Sequence, residues 1–226
     1  METYVIGDLH GAARALEQVL ARSPFRPGID RLIQLGDVAD GWPETPACVE
    51  RLLSLSNSIW LQGNHDWWAA EWLSTQVPPP QVNQQWYTQG GQATYEAYEQ
   101  LPPAERTRHF RQFFGEQLPY FEDEAGNLYV HGGYDSRRPI AEQDPYDLIW
   151  DRDLWEGNQV AKGYRECFIG HTSTWNYKKV PCATHNVWNV DQGAGYRGCV
   201  SMLNVRTKEF VQSDPVPSLY PDVQGR

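Results

Sequence analysis

Positive charge is scarce in this 226-residue chain. Lysine and arginine together number 19 against 29 acidic residues, which leaves a net charge of -10. The shortage excludes broad binding to nucleic acids or anionic membranes, because phosphate-rich surfaces are held by clustered positive charge. A single basic pocket is still compatible with this balance.

Long apolar runs and paired cysteines are also missing. No stretch has the length of a bilayer span, and the first residues, METYVIGDLHG, lead into a strand without the pattern of a signal peptide. The four cysteines are scattered, with no C-x-x-C pair, at positions Cys48, Cys167, Cys182 and Cys199. This spacing favours reduced thiols over a disulfide or zinc site. We therefore predict a cytoplasmic protein without a membrane partner.

The first half of the chain alternates between strand and helix patterns. TYVIGD, RLIQLGD and SIWLQG are predicted strands, and an amphipathic helix pattern follows each of them. This order predicts an α/β fold with parallel strands joined by helical crossovers. Two later hairpins are predicted, YFEDE-AGN-LYVHGG and CVSMLNV-RTK-EFVQ. We expect one domain over 1–226, with a surface break at the prolines 78–80, a helical segment over 84–118 and a loose tail over 214–226.

Polar clusters follow the strands. DLHG (8–11), GDVAD (36–40) and GNHD (63–66) end the first three strands, and His131 and His171 follow later apolar runs. Any one of these clusters can be an ordinary turn. Ligands gather at the carboxyl ends of strands in open α/β sheets, so five such clusters favour a shared site. Carboxylate, imidazole and amide groups suit Mn²⁺, Fe²⁺ or Zn²⁺.

Tryptophan is abundant, with ten residues in the chain. Trp67, Trp68 and Trp72 follow the GNHD cluster closely, and stacking on a base or a sugar is one possible role. Filling the core is the role that we favour for most of them. Trp68 and Trp72 are four residues apart, which places them on one face of a helix.

The order DLHG, GDVAD, GNHD, HGG and GHT resembles that of the calcineurin-like metallophosphoesterases. Within them it is similar to the phosphoprotein phosphatase branch, of bacterial and phage type. The resemblance extends from Gly7 to about Leu203, and includes WYTQGGQATYEAY, LIWDR and VDQGAGYRG. It implies a four-layer αββα sandwich, in which helices flank two mixed β-sheets.

The same resemblance assigns roles to individual residues. It implies two divalent metal ions, with Mn²⁺ favoured over Fe²⁺ and Zn²⁺. The first ion would be held by Asp8, His10 and Asp37, and the second by Asp37, Asn64, His131 and His171.

Three further roles follow from it. His65 would be the general acid, oriented by Asp40, and Arg152 would bind substrate phosphate together with Asn64. For Arg152, a surface salt bridge with Asp151 or Asp153 is the alternative.

Two departures from the family pattern concern the substrate. The second motif usually ends Asp-Arg-Gly, but here Asp40 is followed by Gly41 and Trp42. We expect a wider pocket there, unless another arginine fills the space; the candidates by proximity in sequence are Arg14, Arg137 and Arg138. The third motif reads GNHD rather than GNHE, a form common among dinucleoside tetraphosphate hydrolases.

These observations predict a metal-dependent phosphomonoesterase similar to serine/threonine protein phosphatases. A hydroxide that bridges the two metals would attack phosphorus. The alternative is a dinucleoside polyphosphate or other nucleotide phosphohydrolase, so the expected partner is a phosphoprotein or a nucleotide. A non-catalytic scaffold is a third hypothesis, and the intact set of metal-ligand residues argues against it.

Overall fold

The structure is a computed structural model that describes residues 1–75 and 83–226. The predicted break at the prolines 78–80 lies outside the described residues. Ten strands are found in the described ranges: β1 Thr3–Ile6, β2 Arg31–Gln34, β3 Ser58–Trp60, β4 Tyr120–Glu122, β5 Leu128–Val130, β6 Cys167–Ile169, β7 Cys182–Thr184, β8 Val187–Asn189, β9 Ser201–Asn204 and β10 Phe210–Gln212.

Helices connect and cover these strands. In chain order the α-helices are α1 Ala13–Arg22, α2 Thr45–Leu53, α3 Asn64–Thr75, α4 Gln84–Trp86, α5 Gln92–Glu99, α6 Pro103–Gln112, α7 Pro145–Trp150, α8 Asp153–Glu156 and α9 Val216–Leu219. A kinked turn over Tyr87–Gly91 joins α4 to α5, and short 3₁₀ turns cover Phe114–Glu116 and Ile140–Glu142.

The first sheet has the strand order β10-β9-β1-β2-β3. β1 pairs in parallel with β2, and β2 with β3, as the alternation of strands and helices predicts. β9 and β10 form the predicted hairpin and extend the sheet with antiparallel pairing. Because β1, β2 and β3 run the same way, their carboxyl ends meet at one edge of the sheet.

The second sheet has the order β4-β5-β6-β8-β7. β5, β6 and β8 are parallel, whereas β4 and β7 pair antiparallel at the two edges. The antiparallel β4–β5 pair is the other predicted hairpin. The carboxyl ends of β5 and β6 carry the loops that contain His131 and His171.

Alternation of side chains along the strands produces four layers. Val5 and Ile33 of the first sheet share a buried cluster with Tyr129 and Phe168 of the second, so the sheets pack face to face. Their neighbours point the other way, into clusters that contain the flanking helices. The central strands β1, β5 and β6 are apolar on both faces because they are covered on both sides. The predicted αββα sandwich of two mixed sheets is therefore confirmed.

The segment 214–226 is packed rather than loose. It contains α9 and buries Val216 and Tyr220 almost completely. The Tyr220 ring stacks on Trp42, with centroids 5.2 Å apart. The polar and proline-rich composition suggested a free tail, but two apolar anchors are enough to hold it on the domain.

The tryptophans behind GNHD divide by their position on α3. Trp68 and Trp72 are buried, as predicted from their spacing, whereas Trp67 is 37% exposed. Trp72 packs against Trp86 with centroids 5.5 Å apart.

None of the described helices has both the length and the apolarity that a membrane span requires.

This packing predicts unequal effects for two tryptophan substitutions on one helix. Trp72→Ala should lower the free energy of unfolding by about 3–5 kcal/mol, because it removes a buried indole that neighbouring rings surround. Trp67→Ala is the matched control and should lower it by less than about 1 kcal/mol. Urea unfolding followed by circular dichroism measures both, and equal losses would contradict the burial assignment.

Candidate active site

The ends of β1 and β2 are joined through Asp37. Its backbone adopts a left-handed conformation, with φ of 56°. The Asp37 carbonyl accepts hydrogen bonds from the N–H groups of Leu9 and His10, both at 2.9 Å. The His65 N–H donates to Asp37 Oδ1 at 2.9 Å, which adds the start of α3 to the same cluster. The three predicted strand-end clusters therefore converge.

Asp66, the last residue of GNHD, holds the loop that follows Asp37. Its Oδ1 accepts from the Val38 and Ala39 N–H groups at 2.9 and 3.0 Å. Burial, reinforced by the charge of Asp37, raises the pKa of Asp66 to about 7. The sequence placed this acid inside a motif but predicted no role for it.

Two glycines make room for the converging side chains. A Cβ at Gly63 would collide with Asp37 Oδ1, and a Cβ at Gly36 would lie 2.6 Å from His131 Nδ1. Gly36 also has φ of 98°, which L-residues with side chains rarely adopt. The glycines of GD and GN are therefore required by close approach.

Predicted metal ligands form two groups that share Asp37. In each group, Asp8–His10–Asp37 and Asp37–His131–His171, the potential ligand atoms lie within 4.8 Å of one another. Asp37 Oδ2 is 3.7 Å from His10 Nε2, whereas Asp37 Oδ1 is 3.4 Å from His131 Nε2. The two oxygens of one carboxylate thus face different groups.

Asn64 joins the second group. Its Oδ1 lies 3.2 Å from His131 Nε2. All six side chains that were predicted to hold metal are therefore gathered in one buried cluster.

The donor set fits divalent cations. The His10 and His131 rings are held through Nδ1 by the carbonyls of Ala39 and Leu35, at 3.1 and 2.7 Å, so each Nε2 faces the cluster. His171 Nε2 is buried without a hydrogen-bond partner among the described residues. A buried polar atom left unpaired is costly. A cation that accepts the Nε2 lone pair would remove this cost.

Charges inside the cluster depend on one another. Burial disfavours a charged Asp37, but His131, His65 and His10 together outweigh it and hold the pKa of Asp37 well below its usual value. Burial likewise disfavours a charged His131, yet the Asp37 carboxylate raises the pKa of His131 to about 9. Asp191, from the VDQG stretch, is also buried here, and burial together with Asp8 raises its pKa to about 7.

His65 and Asp40 form a buried pair beside the cluster. The distance from His65 Nδ1 to Asp40 Oδ2 is 2.7 Å. Trp86 Nε1 donates to the same oxygen at 2.8 Å, a contact that no sequence motif predicts. Burial raises the pKa of Asp40 to about 7 and lowers the pKa of His65 well below its usual value. Because Asp40 holds Nδ1, the other ring nitrogen of His65, Nε2, faces the pocket.

Arg152 lines the pocket, as predicted for a phosphate ligand. Its guanidinium donates to the His171 carbonyl at 3.3 Å and to Thr172 Oγ1 at 3.1 Å. The structure gives no ion pair between Arg152 and Asp151 or Asp153. Among the described residues, Arg152 therefore does not form the surface salt bridge that was the alternative to phosphate binding.

A second guanidinium enters the pocket from Arg226. It contacts His65 Nε2 and donates to the Tyr196 hydroxyl at 2.5 Å. A Cβ placed on Gly41 would lie 3.6 Å from Arg226 Cβ. The expectation of a wider pocket beside Gly41 is therefore wrong, because this side chain occupies the space.

The arginines suggested by proximity in sequence lie elsewhere. Arg14 pairs with Glu44 at 3.1 Å, and Arg137 pairs with Asp135 at 2.8 Å. Arg138 donates to the Glu142 carbonyl at 2.9 Å. Closeness to a motif along the chain did not identify the cation, since Arg226 is 161 residues from His65.

Two wider clefts flank the central pocket. The pocket itself holds about 50 Å³, and the clefts about 700 and 820 Å³. Residues 223–226 line both clefts and so separate them. One cleft includes Trp175, Tyr196 and Arg197, and the other includes Tyr87 and Gln92.

The chain is similar to known proteins in sequence and in fold. The family model for calcineurin-like phosphoesterases matches residues 1–198. A symmetrical bis(5'-nucleosyl)-tetraphosphatase of Pseudomonas entomophila is 39% identical over 67 residues, which are 29% of this chain and 24% of that protein. The chain thus aligns with about a quarter of the length of the curated relatives that it matches.

Solved structures share the fold at low identity. A candidate diadenosine tetraphosphatase superposes with a TM-score of 0.70 and 16% identity, covering 95% of this chain and 93% of its own. A protein serine/threonine phosphatase from Saccharomyces cerevisiae, with similarity to human PP5, gives 0.62 and 14%, covering 100% of this chain and 82% of its own. At these identities the likeness concerns the fold alone.

The shared position of Asp37 predicts a graded loss of metal. If the wild type binds about two divalent ions per chain, His171→Asn should retain about one, since it removes a ligand from one group only. Asp37→Asn should retain less, because it weakens both groups. Asp135→Asn, which removes an acid outside the cluster, is the control and should bind as the wild type does. Elemental analysis after Mn²⁺ loading and desalting measures the content, and equal retention in the first two variants would contradict the sharing.

Proposed function

Because the chain belongs to the calcineurin-like phosphoesterase family, we propose that it hydrolyses phosphoric esters or anhydrides with two divalent metal ions. The observation that carries the proposal is the pair of ligand groups joined by Asp37. Asp8 and His10 would complete the first site, and Asn64, His131 and His171 the second. We favour Mn²⁺, with Fe²⁺ and Zn²⁺ as alternatives, because the ligands mix carboxylate, imidazole and amide.

Bound ions would activate a water for attack on phosphorus and neutralise the phosphoryl oxygens. The chain's own contribution is to hold the phosphoryl group in line. Arg152 is fixed by the His171 carbonyl and Thr172, so its remaining N–H groups are available to phosphoryl oxygens. We assign phosphate binding to Arg152 and Asn64.

We assign the role of general acid to His65. Its Nδ1 is held by Asp40, and Trp86 holds the Asp40 carboxylate in turn. The other ring nitrogen, Nε2, faces the pocket. Because burial lowers the pKa of His65, Nε2 must first take up a proton from solvent, which it would then deliver to the leaving oxygen as the phosphorus–oxygen bond breaks. Asp40 is a positioning residue, since its contacts orient the ring.

The assignment predicts a dependence on the leaving group. His65→Asn should keep its bound Mn²⁺ but lose about 10²–10⁴-fold in kcat on substrates with poor leaving groups. The loss should be smaller with p-nitrophenyl phosphate, whose leaving group needs little protonation. Steady-state kinetics on both substrate types measure this difference. A loss of the same size on both would count against proton donation by His65.

For the substrate, a phosphomonoester of the kind that protein phosphatases cleave is our first candidate. It is supported by the resemblance of the motifs to the phosphoprotein phosphatase branch. The small central pocket, about 50 Å³, is suited to a single phosphoryl group.

A dinucleoside polyphosphate is the second candidate and is supported about as well as the first. Four observations favour it. The third motif reads GNHD, and the locally similar Pseudomonas protein is a symmetrical tetraphosphatase. Two clefts flank the central pocket, and each has the volume of a small-molecule site. Trp175 and Tyr196 in one cleft offer aromatic faces for stacking on a base.

A panel of three substrates tests the proposal and separates the candidates. Mn²⁺-loaded protein should hydrolyse p-nitrophenyl phosphate, and excess chelator should remove that activity. A higher kcat/KM on a phosphoserine peptide would support the monoesterase, whereas a higher kcat/KM on diadenosine tetraphosphate would support the polyphosphate hydrolase. The variant Asp37→Asn is the control for contaminating phosphatases. No metal-dependent turnover on any of the three would favour the scaffold hypothesis.

A further inference from the structure

Arg226 is a pocket residue that the family match does not include. The match ends at residue 198, and Arg226 lines the central pocket beside Asp37 and His65. Apart from Arg152, it is the one other lysine or arginine among the described residues that line this pocket. Its position therefore requires an explanation from its own contacts.

The segment that carries Arg226 is anchored at several points. The Arg226 N–H donates to the Gly195 carbonyl at 3.2 Å. Gly225 lies on the Trp42 ring so closely that a Cβ would be 2.6 Å from Trp42 Cζ2. Trp42 is itself fixed, because its Nε1 donates to the Ala194 carbonyl at 2.8 Å and its ring stacks on that of Tyr220.

Two glycines provide the space for the arginine side chain. Gly41 and Gly90 have φ of 99° and 106°, and the Gly41 N–H donates to the Gly90 carbonyl at 3.0 Å. A Cβ on Gly90 would lie 3.2 Å from Arg226 Cβ. An arginine at position 41 would be strained at this φ. The fold thus leaves a gap beside Asp40 and fills it from a distant segment.

The guanidinium has no carboxylate partner within 4.0 Å among the described residues. Its partners are the neutral hydroxyl of Tyr196, over whose ring it also lies at 4.8 Å, and the ring nitrogen of His65. Arginine offers five N–H donors and no acceptor. Two neutral contacts therefore leave a permanent positive charge and spare donors in the pocket, a combination that suits a phosphoryl group.

We propose that Arg226 binds the phosphoryl oxygens of the substrate together with Arg152. Tyr196 is the positioning residue that holds the guanidinium in place. When an oxyanion binds, the guanidinium donates to its oxygens instead of to His65 Nε2, and this ring nitrogen then faces the leaving oxygen. The proposal deepens the proposed phosphohydrolase function and rests on it.

The test is the binding of inorganic phosphate to the Mn²⁺-loaded full chain, measured by isothermal titration calorimetry. Arg226→Ala should raise the phosphate Kd about 10- to 100-fold, the range for loss of a hydrogen bond between charged groups. Arg226→Lys should restore part of the affinity, because it keeps the charge but not the planar fork. Metal content and circular dichroism should match the wild type in both variants.

Two further variants separate contact from general charge. Arg165→Ala removes an equal charge from an exposed residue outside the pocket and both clefts, and should leave the Kd for phosphate within about twofold, because surface charges are screened. Tyr196→Phe should weaken phosphate binding in the wild-type background but have no effect in the Arg226→Ala background. This non-additivity is expected only if Tyr196 acts through Arg226.

Two outcomes would overturn the proposal. An unchanged Kd in Arg226→Ala would show that the guanidinium does not contact the anion. A tighter Kd would show that Arg226 blocks the pocket instead of binding substrate. The probe is inorganic phosphate, so the Kd values would still test the role of Arg226 if none of the three substrates were hydrolysed. If the Mn²⁺-loaded wild type did not bind phosphate at all, the proposed function would be refuted, and not only the role of Arg226.

Discussion

The position of Asp37 is the constraint on which the rest of the site depends. Its carbonyl accepts two N–H groups from the loop after β1, and its carboxylate accepts the His65 N–H at the start of α3. One residue thus joins the ends of three parallel strands. The left-handed backbone at Asp37, with φ of 56°, is tolerated because these contacts over-determine it. Its two carboxylate oxygens are then left facing two different ligand groups.

The same constraint explains the electrostatics of an acidic protein that is expected to act on anions. Burying several carboxylates together is unfavourable, and the raised pKa values of Asp66 and Asp191, about 7 each, express this cost. Histidines in the cluster offset part of it. Divalent cations would offset the remainder and make the pocket positive, although the chain as a whole carries a net charge of -10.

Much of this arrangement could be predicted because it depends on local patterns. Apolar strands followed by DLHG, GDVAD and GNHD gave the parallel sheet, and parallel pairing brought the strand ends together. Contacts between distant segments could not be predicted. Trp86 reaches Asp40 across 46 residues, and the burial of Tyr220 depends on a Trp42 ring that no sequence pattern pairs with it. The packed segment 214–226 and Arg226 were missed for this reason.

The location of Arg226 has a physical consequence for the choice of substrate. A cation in the loop after Asp40 would be fixed by the sheet, whereas this one is carried by a segment held through Tyr220, Gly225 and one backbone hydrogen bond to Gly195. Residues 223–226 also form the wall between the two wide clefts. The phosphoryl contact and the shape of both clefts therefore depend on one short segment. A substrate that extends from its phosphoryl group into either cleft would contact this wall, so substrate shape and phosphate affinity are linked through the same residues.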